Sequence, residues 1–202
     1  GGSPLPNTHE EYVDSVASVF DQVWTQEIVN LGFGQPPSDG GNGGFGPEYD
    51  VYLKDMAAFG LPGTFGYTDW NGEAQVEAGN RERFASFIVI ENDFFGYRTP
   101  GLAGMRITAA HEFHHAIQIG AYGIWRTIAN SDFYFYELTS TWLEDALFTD
   151  VDDYLFDLQQ FFQQYKVGGV SYPFTEWSSG KRGYERAVWA HFLVRRFSAD
   201  II

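Results

Sequence analysis

His111-Glu112-Phe113-His114-His115 places two imidazoles four residues apart, with a carboxylate between them. On a helix, positions i and i+4 share one face a turn apart, so the two rings can grip a single metal ion. Glu112 lies about 100° round from His111, and so about 60° from His115, at 3.6 residues per turn. It therefore borders the metal position without being a ligand. A divalent cation at that point lowers the pKa of a water, and the neighbouring carboxylate is placed to take its proton. That is the chemistry of metal-assisted hydrolysis.

The flanks support a functional reading of these five letters. Leu102, Ala103, Met105, Ile107, Ala109 and Ala110 precede the motif, and Ala116, Ile117, Ile119 and Ala121 follow it. The pattern predicts a mostly apolar, largely buried helix of about twenty residues. Three histidines and a glutamate in one turn of a buried helix are costly without partners, and a metal ion is such a partner.

Catalytic zinc takes three protein ligands and keeps one position open. A third histidine six residues after the second is ruled out, because Ala121 stands there. A di-iron carboxylate site needs two Glu-x-x-His pairs, and Glu112 to His115 is the one such pair in the chain. A carboxylate from a later helix remains. Glu137 and Glu144 are seven apart on one face of the segment Glu137-Leu138-Thr139-Ser140-Thr141-Trp142-Leu143-Glu144-Asp145. Either can ligate. Glu137 is preferred as the third ligand, with Glu144 or Asp145 accepting a hydrogen bond from a histidine N–H.

His-Glu-Phe-His-His followed by Glu-Leu-Thr-Ser-Thr-Trp-Leu-Glu-Asp resembles the gluzincin group of zinc metallopeptidases. It is nearest to a set of secreted bacterial metalloproteases with His-Glu-Phe-x-His-Ala-x-Gln and a later Glu-Gly-x-Ala-x-Trp-x-Glu-Asp. Ala116 and Gln118 fit the first pattern; Glu137, Trp142, Glu144 and Asp145 fit the second. Leu138 and Ser140 replace the usual Gly and Ala. Thr141 stands where some gluzincins carry an Asp. The resemblance spans about residues 12 to 197. It implies an α+β, zincin-like fold, one Zn2+, hydrolysis of a peptide or protein substrate, and a secreted or cell-surface location. It also implies a strand above the metal that pairs with extended substrate. Phe87, Ile88 and Val89, in the run Phe84 to Ile90, are the candidates for that strand.

Electrophilic help for an oxyanion is the remaining requirement. Tyr184 is the candidate. It is seven residues before His191, and a single final helix from about Arg182 to Phe197 would put the two on one face. His191 is read as structural. His114 is read as packing or hydrogen bonding rather than ligating. His9 carries no signal.

The elements that must position these residues are legible in outline. Thr8 and Glu11 form a capping-box pattern for a first helix with Tyr12, Val16, Val19, Phe20, Val23 and Trp24 inward, ending near Gly32. Residues 32–48 read as a Gly- and Pro-rich loop. Asp50 to Leu53 and Phe84 to Ile90 read as strands, with turns at Leu61-Pro62-Gly63 and Trp70-Asn71-Gly72. Ser131 or Asp132 is placed to cap a helix running to about Phe148, and Asp150 the next, with a break at Gly168-Gly169. One domain is expected, with an α/β part over about 1–122 and a helical part over about 123–202.

The chain has 202 residues, a net charge of −15, no cysteine and 18% aromatic side chains. Such acidity argues against nucleic acid or an anionic membrane surface as partner. No apolar run is long enough to span a bilayer. The loop from Asp39 to Asp50 mixes acids with glycine as calcium loops do, although its spacing is not that of an EF-hand, so Ca2+ is a second candidate ion. Two rival functions stand beside peptide hydrolysis. One is a non-catalytic binding or surface module on the same scaffold, and the other a zinc hydrolase acting on non-peptide substrates.

Overall fold

A computed structural model describes residues 9–41, 43, 46–76, 81–124, 133–164 and 183–202. The chain divides into two units, Gly1–Arg126 and Thr127–Ile202. Both α-helices and β-strands are present, with five α-helices and one three-stranded sheet among the described residues.

The first unit begins with helix α1 (His9–Trp24), which widens into a π-helical segment over Thr25–Asn30. Gly32, at φ 76°, ends it in a conformation that suits glycine. Tyr12, Val16 and Val23 are buried and Val19, Phe20 and Trp24 half-buried, so the expected apolar face is the one turned inward. The Thr8 cap lies outside the described residues. Residues 32–48 form no helix or strand where they are described, as their composition predicts.

Strand β1 (Val51–Lys54) pairs in parallel with β3 (Glu82–Glu91). Strand β2 (Gly66–Val76) pairs antiparallel with β3, giving the order β1-β3-β2. Val51 faces Ile88 on one side of β3, and Thr68 faces Ile88 on the other. The turn at Leu61-Pro62-Gly63 is present. The turn expected at Trp70-Asn71-Gly72 is not: β2 runs straight through it, and the pairing absorbs the misfit as an irregularity between Asn71 and Gln75.

Helix α2 (Gly101–Ile117) follows Pro100 and widens into a second π-helical segment, Gln118–Tyr122. Together they give the long apolar helix that the sequence predicts. Its alanines let neighbours approach closely: Ala109, Ala110 and Ala116 are fully buried. α2 packs against α1 on one side and against β2 and β3 on the other. Phe113 takes the ring of Trp24 at 5.7 Å and that of Tyr49 at 6.1 Å. Ile88, Ile90, Met105, Ile107 and Ile117 complete this core, each large side chain contributing about 1.5–3 kcal/mol by leaving water.

The second unit holds α3 (Phe133–Leu147), α4 (Tyr154–Gln164), a 3-10 turn at Tyr184–Arg186 and α5 (Ala187–Arg196). α3 packs on α5 and α4, with Leu138, Leu143, Phe148, Ala187 and Ala190 buried. The Ser131 and Asp132 caps and the Gly168-Gly169 break lie outside the described residues. No described helix is long and apolar enough to cross a membrane.

Candidate metal centre

α2 carries His111 and His115 on one face, as the four-residue spacing requires. Their rings meet edge to face with centroids 4.7 Å apart, and the two Nε2 atoms lie 3.0 Å from each other. Two nitrogens on one tetrahedral zinc, each about 2.0–2.1 Å from the ion, sit about 3.3 Å apart, so the observed pair is close to that spacing. His115 Nδ1 lies 2.7 Å from Gln118 Oε1. The amide oxygen accepts the Nδ1–H, which leaves a lone pair on Nε2, the form of imidazole that binds a metal. Without a cation or a proton between them, two such lone pairs would repel.

Glu137 lies on α3. One ligand atom from each of His111, His115 and Glu137 lies within 4.8 Å of the others. Among the described residues this is the one group of three such side chains that could hold a metal ion. Two imidazoles and a carboxylate form a donor set that suits zinc.

Glu112 is buried on the same turn of α2, at 6% exposure. The Thr68 hydroxyl of β2 lies 2.8 Å from Glu112 Oε2 and 2.8 Å from the main-chain oxygen of Glu112. Gly66, two residues earlier on the strand, leaves room for this approach. A Cβ at Gly66 would stand 2.8 Å from Thr108 Cγ2, 2.8 Å from the Val89 oxygen and 3.3 Å from Glu112 Cγ.

His114 points to the other side of α2, and hydrogen bonds as expected. Its Nδ1 lies 3.1 Å from Oε2 of Glu27, a glutamate with no exposure at all, on the first π-helical segment. Phe33 packs edge-on against the imidazole at 5.0 Å. Burial raises the Glu27 pKa well above the usual carboxylate range and lowers that of His114 well below the usual imidazole range. Both shifts favour a carboxylic acid beside a neutral imidazole over an ion pair.

The remaining sequence candidates fall in several places. Phe87, Ile88 and Val89 lie on the middle strand, where β1 and β2 occupy both sides of β3. Their main chain is not available to a substrate strand. A run rich in β-branched and aromatic residues marks a good strand, but a near-continuous apolar run marks a central strand most strongly, because both faces are buried. Glu144 is buried on α3. Asp145 instead faces His191, with Oδ2 3.6 Å from Nε2, and the Tyr154 ring lies 5.0 Å from that imidazole. Tyr184 opens the 3-10 turn rather than continuing α5. The tighter turn and the break at Arg186 remove the shared α-helical face with His191. In the Asp39 to Asp50 loop, Asp39 Oδ1 accepts from the Gly41 N–H at 2.8 Å and Asp50 Oδ2 from the Tyr52 hydroxyl at 3.1 Å. These acids serve local turns, and no group of three ligating side chains forms there among the described residues.

Three polar partners escaped the sequence reading. Gln118 had a visible signal, since it stands three residues after His115 on the same helix. Thr68 and Glu27 had none, because only strand pairing and a widened helical turn bring them to α2. No family model matches this chain, and no curated protein or solved structure matches it either.

Proposed function

We propose that this chain is a zinc-dependent hydrolase of peptide bonds, with His111, His115 and Glu137 as the metal ligands and Glu112 as the general base. The convergence of those three ligand atoms beside Glu112 carries the reading. The choice of peptide as substrate rests on the resemblance of the two motifs to the gluzincin pattern, and with it goes the proposed secreted or cell-surface location. When bound, zinc supplies the positive charge that acidifies water and polarises a carbonyl.

The chain's own side chains do the rest. Glu112 accepts a proton from the attacking water and returns it to the leaving amine nitrogen. Gln118 holds His115 in the metal-binding tautomer. The test is metal analysis of the purified chain, paired with a peptide-library digest. The expected result is about one zinc per chain, with cleavage abolished by 1,10-phenanthroline and restored by added zinc. A chain that takes up no zinc, or cleavage that ignores the chelator, would overturn the proposal. Zinc bound without any cleavage would favour the non-catalytic module.

A further inference from the structure

We propose that Thr68 is the positioning residue for Glu112: its hydroxyl pins carboxylate oxygen Oε2 and so commits Oε1 to the chemistry. The catalytic half of this inference rests on the hydrolase reading above. The geometric half does not. β2 is an edge strand, and Gly66 and Thr68, two apart, turn to the same face. That face lies against α2 at Thr108 and Glu112. At a half-buried strand position against a helix, valine has the same shape as threonine and fills the same space. The hydroxyl adds nothing to packing.

What the hydroxyl adds is a clasp on one residue. It stands 2.8 Å from the main-chain oxygen of Glu112 and 2.8 Å from Oε2 of the same residue. The single hydroxyl proton is shared between the residue's backbone and its own carboxylate, a three-centre contact that restricts the torsions joining them. A glutamate otherwise has three such torsions free to turn. The helix already uses the Glu112 carbonyl as an acceptor, so this second contact is not needed to satisfy it. Gly66 completes the arrangement by letting the strand come close enough for the clasp to form. A base that must meet a water within hydrogen-bond reach gains directly from such fixing.

The experiment compares wild type, Thr68→Ser, Thr68→Val and Thr68→Ala as full chains. Crystal structures report the Glu112 side chain, metal analysis reports zinc per chain, and steady-state kinetics reports kcat and KM on a cleaved peptide. The expected result is that Thr68→Ser keeps the Glu112 rotamer of wild type, whereas Thr68→Val and Thr68→Ala release it. Zinc content stays at the wild-type level in all four. In the two variants without a hydroxyl, kcat falls about ten- to a hundred-fold with KM unchanged, and Thr68→Ser restores it. Should Thr68→Val not fold, Thr68→Ala carries the comparison. A Glu112 side chain that stays put without the hydroxyl overturns the proposal, and so does a Thr68→Ser variant as slow as Thr68→Val. If wild type cleaves nothing while the rotamer still depends on the hydroxyl, the positioning stands and the hydrolase reading falls.

Discussion

Replacing Glu112 with glutamine keeps the side chain's shape and removes its basicity. Because Glu112 borders the metal group without belonging to it, Glu112→Gln should hold zinc at the wild-type level. Its turnover should fall by roughly 10²–10⁴-fold, the range of a positioned general base. Metal analysis alongside peptide kinetics checks both halves, and normal hydrolysis would remove Glu112 from its role. Gln118 calls for a different experiment. Its oxygen meets His115 Nδ1 at 2.7 Å, so Gln118→Leu should weaken zinc binding by about 10–100-fold, read by competition with a chromophoric chelator. Unchanged affinity would mean that the tautomer is set elsewhere. At this scale the sequence was legible where residue type alone announces chemistry. The spacing of His111 and His115 announces a pair of facing imidazoles, and their Nε2 atoms do lie 3.0 Å apart. A threonine on a strand announces nothing, because its role exists only once a second element arrives.

Strand β2 shows how an element can be misread. Trp70-Asn71-Gly72 has the composition of a turn, yet Trp70 pairs with Ser86 and Asn71 with Ala85. The strand tolerates turn-forming residues by shifting register between Asn71 and Gln75, an interval that includes Gly72, at an edge of the sheet among the described residues. The same edge explains why β3, the best strand in the sequence, is the wrong one for substrate pairing. Local propensity grows with burial, and the most buried strand is the one with no free side. Gly66 tests the contact between β2 and α2. Gly66→Ala puts a Cβ 2.8 Å from a main-chain oxygen and 2.8 Å from Thr108 Cγ2, neither of which yields cheaply. Such overpacking should cost about 1–3 kcal/mol, measured by urea unfolding. A loss much below that would mean that β2 is free to shift outward. Helices α2 and α3 were legible as apolar segments bearing polar groups. The two π-helical segments were not, because a 3.6-residue pattern reads straight across an inserted residue.

For the whole molecule, the Glu27–His114 pair predicts a pH profile. The folded state keeps a proton on Glu27 that the unfolded chain releases above about pH 4.3, so this contribution declines as pH rises. The folded state keeps His114 neutral, while the unfolded chain takes up a proton below about pH 6.5, so that contribution declines as pH falls. Between the two values the slopes cancel. The pair therefore gives a plateau from about pH 4.3 to 6.5, with stability falling at up to about 1.4 kcal/mol per pH unit on either side. Glu27→Gln has no proton to release, so its thermal midpoint should lose the decline above pH 6.5 that wild type shows. Parallel profiles for the two proteins would mean that Glu27 is ionised in the fold. Zinc gives a second prediction at this scale. An ion that binds only the folded chain at a hundred times its Kd adds about 2.7 kcal/mol. For a chain of this length that raises Tm by about 5–10 °C, followed by calorimetry with and without the metal. A midpoint that zinc leaves in place would count against a preformed centre.

The widened turn at Thr25–Asn30 stores information in chain length rather than in residue choice. Excising Gln26 would restore ordinary helical spacing there and turn the glutamate away from its present direction toward His114. Homologues of this protein should therefore accept many substitutions along that stretch but almost no single-residue gaps, and a deletion scan should find there a sharper drop in soluble yield than anywhere else on the first helix.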